Sequence, residues 1–369
     1  MNAAAPVESY DTFDAIEGVP PPAATPALVG HGAIFGEMIA AARSERLHHA
    51  WLLQGPRGIG KATAAFAFAR ILSGAEYADE QTDDQTTARF RTDDPVFRQI
   101  AIGSLPTLIH VTRPPVERGS GYRTQITVEE VRRLGRFFHA TASGKGWRIA
   151  LIDPADDLNR SAANALLKLL EEPPARSLFL IVNHTPGRLL PTIRSRCRLA
   201  RFDPLSDDEL TLALAHCGAA PSEGAEADIL LRSAEGSVRK ALMLATHGGA
   251  EIEQTLATLL ASDVPDLNAL QSMIDSLTLK GREASYDLLL SALMSAIAAM
   301  SEERLRAGDM AAAAAFAELW QAESSRLAEA AAFNLDRKQM ALTTASRIFE
   351  LRATFHGGSD GSNGAAFRD

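Results

Sequence analysis

The sequence predicts an α/β fold, in which a parallel sheet is covered by helices and is followed by an all-helical C-terminal region. Two observations lead to this prediction. Over residues 26–204, short apolar runs alternate with amphipathic helical patterns, and the runs lack the polar alternation of a half-exposed sheet. From Ala250 to Phe355 the chain is rich in Ala and Leu and almost free of strand patterns, which indicates helices packed on helices.

The stretch Ala50–Thr63 contains the clearest motif. Its apolar run ends at Gln54, a Gly-rich turn follows, and Lys61 opens an Ala-rich helical run. This is the order of a phosphate-binding loop, in which backbone N–H groups, a helix N-terminus and a lysine all face an anion. The alternative is an ordinary Gly-rich turn followed by lysine by chance. The candidate nucleotide-binding residues here are Gly55, Gly58, Gly60, Lys61 and Thr63.

The motif departs from its consensus at one position. The residue after the lysine normally carries a hydroxyl that binds Mg²⁺. Here that residue is Ala62, and the hydroxyl of Thr63 comes one position later. One step along a helix rotates a side chain by about 100°, so Thr63 is expected to point away from a metal. Nucleotide binding and hydrolysis therefore become separate questions.

Two further polar features follow buried apolar runs. Asp153 ends the run that begins at Trp147, and the segment Asn183–Thr185 ends a run that begins at Leu178. Ligands bind at the C-terminal ends of parallel strands, so these features and the Gly-rich turn are expected to meet. Asp153 suits Mg²⁺, but the carboxylate that would orient a water molecule next to it is replaced by Pro154. Each missing group is typically worth about 10²- to 10³-fold in rate, which predicts hydrolysis near background.

Composition sets wider limits. The formal net charge of −9 argues weakly against a chain that grips nucleic acid alone. Two cysteines are too few for a disulfide framework or a cysteine-based zinc site, and a cytoplasmic location is the simplest expectation. We see neither a secretory leader nor a membrane-spanning run. A local basic patch is formed by Arg194, Arg196, Arg198 and Arg201.

Several segments are expected to lie outside the core. Residues 1–25 are acidic and rich in Pro and Ala, which predicts disorder, and residues 357–369 have the composition of a flexible tail. The acidic insert Ser73–Asp94 is expected to be a mobile loop. His48 and His49 precede the first run without a third ligand nearby, so we interpret them as packing or capping residues.

At this point a family resemblance becomes clear. The segments Ser161–Pro174, Arg188–Cys197 and Gly236–Leu242, together with the two motifs above, resemble the clamp-loader branch of the AAA+ ATPases. Within it, the whole chain is similar to the delta-prime class of subunit of bacterial DNA polymerase III. The motifs cover residues 27–250, and the helical remainder matches by architecture.

The resemblance implies roles for individual residues. Arg196 lies in a Ser-Arg-Cys motif and would be an arginine finger for ATP in a neighbouring subunit. Arg239 would approach the nucleotide from a helical lid, and Asn183–Thr185 would hold the first sensor. The resemblance also implies a nucleotide-binding domain over 26–204, a lid over 205–250 and a ring-forming collar over 251–356. Without its flanking motif, Arg196 would be interpreted as a solvated surface residue.

The implied partners are clamp-loader subunits of the delta and gamma/tau types in a pentameric ring, with the sliding clamp and primed DNA reached through that complex. The implied cofactor is ATP or ADP with Mg²⁺, with hydrolysis absent or very weak. Many relatives carry a four-cysteine zinc module where this chain has Ser73–Asp94, which contains no cysteine, so zinc is not expected. Two alternatives stay open: an active AAA+ ATPase, and a nucleotide-sensing regulator outside replication.

Overall fold

The computed structural model describes residues 13–44, 46–78, 86–116, 121–139, 146–221, 224–246, 248–262, 266–279, 282–333 and 335–356. The predicted tail at 357–369 lies outside these residues, as does the start of the chain up to residue 12. The chain divides after Leu242 into two compact units. None of the described helices is both long and apolar enough to cross a lipid bilayer.

The first unit contains all the described strands. They are β1 (Ala27–Val29), β2 (Ala50–Gln54), β3 (Tyr77–Ala78), β4 (Thr86–Phe90), β5 (Leu108–Val111), β6 (Arg148–Ile152), β7 (Ser177–Asn183) and β8 (Arg198–Arg201). Five of them form a parallel sheet in the order β5-β6-β7-β2-β8. The parallel α/β sheet predicted from the apolar runs is therefore confirmed.

Helices surround this sheet because its central strands are apolar on both faces. The helices that begin in the first unit are α1 (Gly32–Arg43), α2 (Lys61–Leu72), α3 (Pro95–Ala101), α4 (Val128–His139), α5 (Arg160–Glu171), α6 (Pro191–Arg194), α7 (Asp207–His216), α8 (Ala225–Ala234) and α9 (Val238–Thr246). Along β2, Trp51 and Leu53 join the core under α1–α3, whereas Ala50 and Leu52 join the core under α4–α6. The period of two explains why the whole run is apolar.

A second, antiparallel sheet corrects the interpretation of the acidic insert. β4 lies between β1 and β3, and its residues Ala88 and Phe90 are buried. The prediction of a mobile loop over Ser73–Asp94 is therefore wrong at residues 77–78 and 86–90, which form β3 and β4. The alternate apolar residues of β4 are buried in the core. Residues 79–85 lie outside the described part of the insert.

The entry segment before β1 is also ordered where the structure describes it. A short 3₁₀ turn spans Pro22–Ala24, and Ala23 is buried. Arg70 of α2 is buried beneath it, donates hydrogen bonds to the carbonyl oxygens of Ala23 and Thr25, and stacks 4.3 Å from the ring centroid of Phe97. The disorder predicted for residues 1–25 is thus corrected for 13–25, because a buried guanidinium binds the backbone of this segment.

The second unit is entirely helical in its described residues, as predicted. It contains α10 (Gly249–Ala261), α11 (Leu267–Leu277), α12 (Glu283–Arg306), α13 (Met310–Phe333) and α14 (Arg337–His356). Among the residues of this unit that the structure describes, Glu323 is a fully buried carboxylate. Glu323 of α13 accepts hydrogen bonds from Arg326, Arg347 and Thr344. Burial alone would raise the pKa of Glu323, but these donors outweigh burial and lower it.

Candidate functional site

The glycine loop, residues 55–60, connects β2 to α2 at the C-terminal edge of the parallel sheet. Gly58 and Gly60 have φ angles of +81° and +105°, which glycine adopts without the cost that a Cβ would add. At Gly55 the requirement is space, because a Cβ there would overlap the carbonyl oxygen of Phe202 after β8. The three predicted glycines are therefore needed for the shape of this turn.

Lys61 is the first residue of α2 and only 2% exposed. Its Nζ lies 2.6 Å from the carbonyl oxygen of Gly55 and also donates to Pro56, so the ammonium is bound to its own loop. Burial lowers the pKa of Lys61 to about 8, although the charges of Asp153 and Asp156 act to raise it. The side chain is thus a partly desolvated cation next to the open face of the glycine loop.

Asp153 follows β6 and is partly buried; its backbone N–H donates to the carbonyl oxygen of Val111 at 2.9 Å. Burial raises the pKa of Asp153 to about 7, and the nearby carboxylate of Asp14 raises it further, while Lys61 acts in the opposite direction. A carboxyl group with this pKa is about half ionised at neutral pH. Asp153 therefore lies at the strand end where the sequence predicts an acidic metal ligand, and its affinity for protons is unusually high.

The segment after β7 is held by a second acid that the sequence pattern did not single out. Both carboxylate oxygens of Asp156 accept backbone N–H groups, from His184 and from Thr185, each at 2.7 Å. Asp156 is therefore occupied in shaping this loop. A carboxylate four residues after the end of a buried strand was the signal available in the sequence.

Of the three candidates for the first sensor, His184 is the one that lines the cavity described below. Asn183 is buried, and its side chain joins Gln54 of β2 and the backbone of Thr185. Burial, helped by the charge of Lys61, lowers the pKa of His184 to about 3. A neutral imidazole therefore faces the cavity.

The N-terminal end of α9 packs directly on the glycine loop. Ser237 Oγ donates to the carbonyl oxygen of Arg57 at 3.0 Å, and a Cβ at Gly58 would overlap both Ser237 and Arg239. Arg239 also pairs with Asp14, 2.6 Å from Nη2 to Oδ1. The lid arginine predicted from the sequence is therefore adjacent to the loop.

These elements enclose a cavity of about 240 Å³. Six predicted residues line it: Gly58, Gly60, Lys61, Thr63, Asp153 and Arg239. Gly55 shapes the loop behind the cavity wall. Ala62 and Pro154 also line the cavity, so a methyl group and a proline ring occupy the positions where an active NTPase has a hydroxyl and a carboxylate.

Sequence reasoning missed one part of this wall entirely. Phe13, Asp14 and Ile16, from the segment expected to be disordered, line the same cavity as Lys61. The Asp14 carboxylate forms ion pairs with Arg57 and Arg239. No spacing rule links these residues, which are 43 and 225 positions from Asp14.

Arg196 does not line the cavity. It follows the short helix α6, and its guanidinium lies 2.8 Å from Glu171 and 3.0 Å from the carbonyl oxygen of Thr192. Its side chain is 36% exposed. The neighbouring Arg198 pairs with Glu37, so the predicted basic patch is partly neutralised.

Other singled-out residues have packing roles. The rings of His48 and His49 stack with centroids 4.4 Å apart, and each bonds a backbone carbonyl, that of Ala50 and that of Leu170 respectively. Burial raises the pKa of Cys197 to about 12, so this thiol is unreactive near neutral pH.

Parts of the chain are similar to known proteins. Residues 30–206 match the family model described as DNA polymerase III, delta subunit. The delta' subunit of Pseudomonas aeruginosa is 36% identical over 208 residues, covering 56% of this chain and 58% of that protein. The gamma subunit of Buchnera aphidicola is 31% identical over 214 residues, covering 55% of this chain and 52% of that protein.

The delta' subunit of Escherichia coli is 29% identical over 231 residues, covering 63% of this chain and 64% of that protein. The matched regions thus span between half and two thirds of these relatives. A solved gamma-subunit-related protein of Thermotoga maritima covers 86% of this chain and is itself 99% covered, at 13% identity and a TM-score of 0.40. The sequence matches therefore show that this chain is similar, over part of its length, to delta', gamma and tau subunits of DNA polymerase III.

Proposed function

We propose that this chain is a delta-prime-type clamp-loader subunit of the AAA+ class, which acts in the cytoplasm during DNA replication and does not hydrolyse ATP at a useful rate. It assembles with subunits of the delta and gamma/tau types in a pentameric ring. Through that ring it helps to load the sliding clamp onto primed DNA. Its similarity to delta', gamma and tau subunits supports this proposal.

The proposal rests on one observation. A loop of the phosphate-binding type lines the cavity, but two positions next to it lack the side chains that hydrolysis needs. The glycine loop and Lys61 suit the phosphates of ATP or ADP, since Gly58, Gly60 and Lys61 line one cavity and loops of this type offer backbone N–H groups and an ammonium to an anion. The same site fits Mg²⁺ poorly, because Ala62 offers no hydroxyl at the position where a phosphate-binding loop holds the metal. Pro154 can neither accept a proton nor orient a water molecule.

Arg196 is proposed to act on a neighbouring subunit. It lies outside the cavity of its own chain, and Glu171 and the backbone of Thr192 fix its guanidinium in one orientation at the surface. An arginine supplied in this way to another subunit's ATP is worth about 10³-fold or more in hydrolysis.

The second candidate is an active ATPase of the same complex. The presence of Lys61, Thr63 and Asp153 around one cavity favours it. Ala62 and Pro154 are stronger evidence against an active ATPase, because the hydroxyl and the carboxylate that they replace act directly on the metal and on the attacking water. Steady-state hydrolysis by the purified chain at motor rates, abolished in Lys61→Ala, would decide for the active enzyme.

The test of the leading proposal is reconstitution with the delta- and gamma/tau-type subunits. Arg196→Ala should leave assembly intact and lower the DNA- and clamp-stimulated ATPase of the ring by at least tenfold. Arg194→Ala is the matched control, since Arg194 is an exposed arginine of the same surface. Unchanged ATPase in Arg196→Ala would remove the finger role, and failure of the wild-type chain to assemble would remove the clamp-loader proposal.

A further inference from the structure

Residues 13–19, which we call the plug segment, lie against the proposed nucleotide site. Phe13, Asp14, Ile16 and Val19 of this segment line the same cavity as Lys61. The cavity volume of about 240 Å³ is below the range of about 300–1,000 Å³ that is usual for ligand sites. The plug segment thus takes up part of the space that a nucleotide would need.

The carboxylate of Asp14 pairs with two arginines that line the cavity. Its carboxylate forms an ion pair with Arg57 of the glycine loop and another with Arg239, 2.6 Å from Arg239 Nη2. Arg239 also donates to the backbone carbonyl of Asp14. The Asp14 carboxylate therefore bridges the glycine loop and helix α9, as the phosphates of a bound nucleotide would do.

Phe13 anchors the segment without using this charge. The guanidinium of Arg113 lies 4.6 Å from the centroid of the Phe13 ring, and the ring of Tyr122 contacts it edge-on at 5.4 Å. Arg113 is itself held by a bidentate ion pair with Asp157, which is 8% exposed. The plug segment consequently has two separate attachments, one aromatic and one ionic.

We propose that the plug segment is an autoinhibitory element that competes with nucleotide phosphates for Arg57 and Arg239. The proposal rests on the proposed function, in that it takes the cavity as a nucleotide site. The ion pairs are partly exposed, with 53% of the Arg57 side chain and 30% of the Asp14 side chain accessible, so each is modest in strength. Such attachments let a nucleotide displace the segment reversibly.

The competition makes a quantitative prediction. If only a fraction of the molecules have an open site, the apparent dissociation constant rises by the inverse of that fraction. An open population of about a tenth in the wild-type chain would weaken nucleotide binding by about tenfold. Removing either the ionic or the aromatic attachment should therefore strengthen nucleotide binding by about tenfold.

The experiment titrates the full-length chain with a fluorescent ADP analogue in the absence of Mg²⁺. Asp14→Asn removes the ionic attachment, and Phe13→Ala removes the aromatic attachment while keeping the Asp14 charge. Glu17→Gln is the control, because it changes charge by the same amount at an exposed position outside the cavity wall. Both plug variants should bind about tenfold more tightly than wild type, and the control should bind as wild type does.

Three outcomes would overturn the proposal. Tighter binding by Asp14→Asn alone would mean simple charge repulsion of the phosphates and no plug. Equal affinity of all four chains would mean that the segment does not compete, with nucleotide binding intact. Binding by none of them would overturn both the plug and the nucleotide site, while assembly with other subunits would still be decided by the reconstitution experiment.

Discussion

The ammonium nitrogen of Lys61 lies 2.6 Å from the carbonyl oxygen of Gly55, six residues earlier in its own loop. A lysine at this position of a phosphate-binding loop is expected to contact the outer phosphates of a nucleotide. In this chain it neutralises carbonyl oxygens instead, at a buried site that lowers its pKa to about 8. Lys61 is therefore hydrogen-bonded within its own loop, and it would have to exchange these carbonyl partners for phosphate oxygens if a nucleotide bound.

Replacing Lys61 with Met should stabilise the chain at neutral pH. The Lys61 ammonium is desolvated, and a pKa lowered from 10.5 to about 8 corresponds to a cost of up to ~3 kcal/mol. Because the unfolded state binds more protons than the native state between pH 8 and 10.5, wild-type stability rises across that window. The advantage of Lys61→Met should therefore be about 1–3 kcal/mol at pH 7 and shrink toward pH 10.5.

Urea unfolding at several pH values measures this difference. Lys168→Met on α5 is the control, since Lys168 is an exposed lysine of the same unit. If Lys61→Met instead lowered the free energy of unfolding at pH 7, this result would contradict the inference that the buried Lys61 charge destabilises the fold.

Asp153→Asn should show the opposite pH dependence. The pKa of Asp153 is raised to about 7 by burial, so the native state holds a proton that the unfolded state has already lost between about pH 4 and pH 7. Wild-type stability should fall relative to Asp153→Asn across this window, by up to about 4 kcal/mol. Paired denaturation curves of Asp153→Asn and of Asp203→Asn, an exposed control, provide the measurement. A pH-independent gap for Asp153→Asn would disprove the raised pKa.

Gly58→Ala should destabilise the contact between the glycine loop and α9. The added Cβ would overlap Ser237 and Arg239, in addition to the strain of a φ of +81°. Gly74→Ala is the matched control, because Gly74 has a φ of +89° but no neighbouring atom within 4 Å. We expect Gly58→Ala to cost about 1–3 kcal/mol more than the control in thermal unfolding. Equal costs would mean that the loop and the helix separate easily.

Glu323→Gln should destabilise the helical second unit. The Glu323 carboxylate is fully buried and accepts from Arg326 and Arg347, so removing its charge leaves two cations without their anion. We expect a loss of about 2–3 kcal/mol, below the full cost for a buried pair because Arg347 is 44% exposed. Since its pKa is lowered, Glu323 stabilises the fold above its unfolded pKa, and the gap should close as the pH falls through its folded pKa.

The control for this variant is Glu318→Gln, an exposed glutamate on the same helix. It should change the free energy of unfolding by less than about 0.5 kcal/mol. A similar loss in both variants would assign the effect to helix α13 in general and not to the buried ion pairs.

The central strands could be predicted because burial on both faces removes polar residues from them. β2, β6 and β7 each have four or more buried apolar residues in succession. β8 was missed because only Leu199 and Ala200 are apolar within Arg198–Arg201, and its pairing with β2 uses backbone groups that any sequence offers. β4 was missed for a related reason, since its apolar positions alternate within an acidic insert.

The residues of the candidate site also divide into those that a local sequence pattern predicts and those that it does not. The glycines of the loop, Lys61 and Asp153 were predictable because each belongs to a local pattern at the end of a strand. Asp14 was not, because its role depends on an arginine 225 positions away and on the fold that brings the two together. The choice among Asn183, His184 and Thr185 likewise depended on which side chain the neighbouring strand leaves pointing into the cavity.

Arg70 gives the start of the chain a fixed pivot. Because its buried guanidinium binds the carbonyl oxygens of Ala23 and Thr25, the backbone just before β1 is tied to α2. Displacement of the plug segment, as proposed above, would therefore leave Ala23 and Thr25 bound to Arg70 and would change the backbone only before these residues. The plug segment could thus leave the cavity while the residues just before β1 remain part of the core.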